Sequence, residues 1–120
     1  MKTLLTLCFL ALFSTAVYVS IPVENNFPDS GVCVVEFNAS FNASNSVSWI
    51  DNLSDCKGKR IDIAMQPTMQ KMHKIVVVPT IIIFNEGEEV KRFQANIMMQ
   101  IEATQNEVQN AIDNAIMSSF

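Results

Sequence analysis

The sequence predicts a single small α/β domain on a mixed β-sheet, and three observations predict it. Apolar, β-branched runs of strand length stand at 32–37 and 76–84, bounded by glycine and asparagine and, in the second, interrupted by proline. Segments of helical periodicity separate the early strands and close the chain, giving the order strand, helix, strand, helix, strand, strand, helix. A helix between the first two strands implies parallel, right-handed pairing, whereas the short turn Asn85-Glu86-Gly87 makes the last two an antiparallel hairpin. The 120 residues suffice for one core and are too few for two.

The chain opens on Met1-Lys2, a mainly apolar run at 4–19 and a small-x-small site at Ser14-Thr15-Ala16. These are the parts of a secretory signal, expected to be cut after residue 16, or as late as 20. The mature domain is then 17–120, outside the cytoplasm in the periplasm or secretory pathway, with no membrane span left after signal removal. An uncleaved anchor is the alternative, because the run is only a little shorter than the ~20 residues that cross a bilayer. The formal net charge is −4, and losing Lys2 makes the mature chain more acidic still, which argues against nucleic acid as a partner.

Element by element, Gly31 precedes the first strand, whose short, β-branched apolar run suits burial on both faces. Residues 38–48 are rich in Asn, Ser and Ala and lead into Val47, Trp49, Ile50 and Leu53 at helical spacing, with Gly58 expected to close that helix. Residues 60–65 alternate as a second strand, and Pro67 suits the first turn of a helix carrying Met69, Met72 and Ile75. The strand at 76–84 and its hairpin partner at 88–93 follow. Ile101, Val108, Ala111, Ile112, Ala115 and Ile116 form the apolar stripe of a final helix that must pack on the sheet.

Cys8 leaves with the signal, so the mature chain keeps Cys33 and Cys56, and neither lies in a CxxC motif. An oxidising compartment permits one disulfide between them, which spacing alone does not decide. Met65, Met69, Met72 and His73 invite a cuprous-ion reading, but methionines at this spacing are more often core filler, and no metal or cofactor is expected. Asn38, Asn42 and Asn52 each begin a glycosylation sequon, which matters only in a eukaryotic secretory pathway.

The order of elements resembles the thioredoxin fold, and two stretches carry the resemblance. Val78-Pro79-Thr80-Ile81-Ile82-Ile83-Phe84-Asn85-Glu86-Gly87-Glu88 is similar to the family's cis-proline strand and hairpin, and residues 35–45 align without a gap on its first central strand, aromatic and active-site turn. The resemblance implies about four strands in a central mixed sheet with helices on both faces. At the two positions where the family carries the cysteines of its CxxC, this chain has Asn42 and Asn45. Thiol-disulfide exchange needs a thiolate to attack and a second thiol to resolve, and an amide does neither, so no catalytic residue is assigned. Asparagine still serves at a helix start.

The resemblance also implies a buried acid at Glu36 with its basic partner at Arg60, here expected to be a structural ion pair costly to break by halves. It implies a cis peptide bond at Pro79 and an edge beside Val78 open to an extended peptide, with Phe41 either anchoring that peptide or tucked into the core. It makes a Cys33–Cys56 disulfide conceivable, both residues falling at one pole. The expected function is therefore an exported, redox-inactive domain binding an extended segment of a protein or peptide partner through Phe41, Val78, Pro79 and Thr80. The alternative is an oxidoreductase using Cys33 or Cys56, which requires an exposed thiol of low pKa.

Overall fold

The computed structural model describes residues 30–120; the expected signal at 1–16, Cys8 and the start of the mature domain lie outside the described residues. Four strands form one sheet in the order β2-β1-β3-β4, with β1 at Val32–Asn38, β2 at Lys57–Asp62, β3 at Thr80–Asn85 and β4 at Glu88–Gln94. β1 runs parallel to β2 and antiparallel to β3, and β3 runs antiparallel to β4, so the sheet is mixed as expected. All seven residues of β1 are buried, which explains a sequence apolar at nearly every position rather than at every second one.

The helices cover opposite faces. α1 (Pro67–Met72) sets Met69, with Ile75 beyond its end, against Cys33, Val35, Phe37, Ile82 and Phe84. α2 (Gln105–Met117) sets Val108 and Ile112 against Val32, Val34, Ile81 and Ile83 on the other face. Thr104 caps α2, its hydroxyl accepting from the Glu107 amide at 3.2 Å. Proline stands in the first turn of α1 as expected, and the helix stops at Met72 because Lys74 turns left-handed at φ 53°. The Ile75 and Lys74 amides then return to the carbonyls of Gln70 and Lys71. The β3–β4 turn has positive φ at both Glu86 and Gly87, as a type I′ hairpin requires.

Four expectations need correction, the first being that the strand expected at 76–84 runs only over Thr80–Asn85. The helix expected over Val47, Trp49, Ile50 and Leu53 is replaced by 3-10 turns at Ser40–Asn45 and Ile50–Asn52. The region is crowded with Asn, Ser and Asp, whose side chains compete for backbone groups, and the helical spacing marked which residues face the core without fixing the backbone. Gly58 does not close a helix: it lies in β2, where a Cβ would come 3.0 Å from the Ile50 carbonyl oxygen, and β2 accordingly begins three residues earlier than the alternation suggested. Ile101 precedes α2 and reaches the same core from the connecting loop.

Candidate functional site

The antiparallel register pairs Phe37 with Thr80, which brings the turn after β1 beside the segment entering β3. The Val78-Pro79 bond is cis, as the resemblance implied. Ser40–Asn45 turns away from β1, and Asn42, 5% exposed, points inward with a non-helical φ of −114°. Its Nδ2 lies 3.1 Å from Asn38 Oδ1, 3.2 Å from the Met99 carbonyl and 3.4 Å from that of Val78, so two protons serve three acceptors. Its Oδ1 accepts from Asn45 Nδ2 at 2.8 Å, and its backbone carbonyl accepts from Asn38 Nδ2 at 3.1 Å. The Asn42 amide thus ties the turn to two other loops.

One of those loops was missed in the sequence. Residues 95–100 wrap around the Asn96 side chain, whose Oδ1 accepts from the amides of Met98 and Gln100 at 2.9 and 3.1 Å. The Ala95 amide donates to the Pro79 carbonyl at 3.0 Å and pins the loop to the residue that precedes β3. The loop holds three apolar side chains out to solvent: Ile97 is 97% exposed, Met98 69% and Met99 44%. An apolar triplet flanked by Asn96 and Gln100 was the available signal, since isolated polar loops do not carry one.

Phe41 is 76% exposed, which settles its placement outside the core. With Val76, Val77, Ile97 and Met99 it borders an apolar cavity of about 590 Å³. Val78, Pro79 and Thr80 are buried, and of the three only Val78 lines the cavity; the Val78 carbonyl faces the Asn42 amide and the Thr80 hydroxyl donates to the Val77 carbonyl at 2.7 Å. Just before the cis bond, Val76 and Val77 are exposed, and Phe41 and Ile97 border the same cavity.

Glu36 and Arg60 are direct neighbours across β1 and β2, and Arg60 Nε lies 3.3 Å from Glu36 Oε1. Glu36 Oε2 accepts from the Val47 amide at 2.7 Å. Burial pushes the Glu36 carboxyl above its ordinary value, partly offset by that amide and by Arg60. Arg60 also reaches Asp51 and the Val47 carbonyl and so fastens the irregular segment to the sheet.

The two thiols lie at the opposite end of β1. Cys33 precedes Asn38 by five strand positions, roughly 16 Å, and pairs in register with Lys57, next to Cys56. The thiols are near one another but face opposite layers, Cys33 with the α1 core and Cys56 with the α2 core, and both are free. Burial raises the pKa of Cys33, and burial with the charges of Cys33 and Asp55 pushes Cys56 up to about 11.

Met69 fills the core, whereas Met65 and Met72 are exposed, so the filler reading holds for one of the three. The His73 ring packs against Phe37 and Phe84 at 5.4 and 5.3 Å between centroids. Among the described residues no group of three or more His, Cys, Asp or Glu is placed to hold a metal, and no helix is long and apolar enough to cross a membrane. Of the sequon asparagines, Asn38 and Asn42 are buried and hydrogen-bonded, and Asn52 is exposed.

Replacing Asn42 by Ala strands two loop carbonyls and should cost about 2–3 kcal/mol in urea unfolding, against under about 1 kcal/mol for Asn45→Ala; equal losses would contradict the latch. Because the folded state binds the Glu36 proton more tightly than the unfolded chain, this group adds stability as pH falls from neutral toward 4.5. Melting temperatures measured from pH 7 to 5 should therefore gain less in Glu36→Gln, which cannot titrate, than in the parent.

No family model matches the chain, and no curated protein matches it either. Solved structures do. A thioredoxin from Halobacterium salinarum carrying one substitution superposes with a TM-score of 0.57 at 18% identity, over 72% of this chain and 76% of that one. Reduced thioredoxin from Schistosoma mansoni gives 0.56 at 20% identity, over 72% and 80% of the two chains. Thioredoxin 1 from Thermosipho africanus gives 0.53 at 22% identity, over 72% and 97%. The strand order of the sheet, its covering helices and these neighbours together show that the chain has the thioredoxin fold.

Proposed function

We propose that this chain is a redox-inactive, thioredoxin-like binding module that works outside the cytoplasm and grips an extended apolar segment of a partner protein. The observation that carries the reading is the pole where β1 meets β3. There Asn42 and Asn45, which the resemblance sets at the cysteine positions, form an amide latch, and Phe41, Val76, Ile97 and Met99 stand exposed around an apolar cavity. Clustered exposed apolar side chains of this kind mark interaction sites. Export rests on the sequence of residues 1–16 alone.

The oxidoreductase alternative draws no support from either cysteine. Both thiols are held above their ordinary pKa, one is fully buried, and both lie a strand's length from Pro79.

Binding of an uncharged, apolar octapeptide by fluorescence anisotropy tests the reading. Phe41→Ala and Ile97→Asn alter exposed side chains, so each should leave the melting temperature in place and weaken binding about tenfold or more. The unmodified chain should not accelerate reduction of a model disulfide by dithiothreitol. Affinity indifferent to both substitutions, or turnover above the dithiothreitol background, would overturn the proposal.

A further inference from the structure

Among the described residues the sulfur atoms differ sharply in access. Cys33 and Met69 are buried, and burial with the charges of Cys33 and Asp55 pushes the Cys56 thiol up to about 11, so little thiolate is present to react. Met65, Met72, Met98, Met99 and Met117 are exposed, and of these Met99 alone lines the apolar cavity. The rest of that lining is aliphatic, the Phe41 ring and the amides of Gln70 and Asn96. A peroxide oxidises thioethers and leaves such groups untouched.

The loop fixes Met99 at this wall. Its carbonyl accepts from Asn42 Nδ2 at 3.2 Å, and its amide donates to the Asn96 carbonyl at 3.0 Å. With the backbone tied on both sides of the residue, the side chain has only its own rotamers with which to withdraw. As a thioether it is apolar and matches its neighbours; as a sulfoxide it is polar and a hydrogen-bond acceptor. An apolar segment covering that oxygen strips its water and supplies no side-chain donor in return, which weakens binding.

Resting on the binding reading above, we propose that Met99 is a modification site: oxidation of its thioether by hydrogen peroxide loosens the hold of the cavity on its apolar segment. The sulfur lone pair attacks one peroxide oxygen, and the S–O bond forms as the O–O bond breaks. The sulfur loses two electrons, the departing hydroxide takes the proton of the transferred oxygen, and the products are the sulfoxide and one water. Met98, its neighbour in sequence, is open to peroxide but does not line the cavity, so its oxidation leaves binding in place.

The test treats the parent chain, Met99→Leu and Met98→Leu with hydrogen peroxide at a dose that leaves Met69 unoxidised by peptide mass mapping. The peroxide is then removed and binding of an apolar octapeptide is measured by fluorescence anisotropy, each protein being compared with its own untreated sample. The parent and Met98→Leu should lose about tenfold in affinity, whereas Met99→Leu, which has no thioether at that wall, should lose less than about twofold. Met99 left unoxidised at that dose, an oxidised parent that binds as before, or an equal loss in Met99→Leu overturns the oxidation proposal and leaves the binding reading intact. Failure of every untreated protein to bind overturns both.

Discussion

The antiparallel pairing of β1 with β3, buried on both faces, fixes everything at the candidate site. Each strand is apolar at nearly every position, so a slip of register would strand neighbouring side chains rather than exchange one face for another. With Phe37 opposite Thr80, the chain leaving β1 and the chain entering β3 must emerge at the same pole. The sheet supplies the rigidity, and the irregular segments at this pole supply the chemistry.

At that pole the side chain of Asn42 determines what chemistry is available. A thiol there would be a nucleophile with little hydrogen-bonding capacity, whereas the amide has two donor protons and a carbonyl, and all are engaged. The turn is thereby fastened to the Val78 and Met99 carbonyls, which fixes the spacing between the two walls of the apolar cavity. The Asn96-centred loop completes the wall by holding Ile97 and Met99 against their tendency to bury. Walls preorganised in this way lower the ordering cost of any segment that binds between them.

The fold was legible because its strands and final helix announce themselves through composition. The mainly apolar run at 32–37, the Gly87 hairpin and the Val108, Ile112, Ala115 stripe each report one local requirement that no distant residue overrides. The segment at 40–58 was not legible, since Trp49 and Ile50 keep helical spacing while the Asn and Ser around them take the backbone's hydrogen bonds. Glu36 with Arg60 and the turn at Asn42 were found through the resemblance. The Asn96 loop was not, because its meaning lies in long-range bonds to Pro79 and Asn42 that a linear pattern does not contain.

The central claim is that the pole formed by Phe41, Val76 and the Ile97 to Met99 loop is the working face of the molecule. Backbone amide chemical shifts recorded while an apolar peptide is titrated in test it most directly. The shifted amides are expected to cluster at 39–45, 76–78 and 95–100 and to leave Cys33 and Cys56 at the far end of the sheet unmoved. Shifts centred on the two cysteines, or spread evenly over the domain, would contradict it.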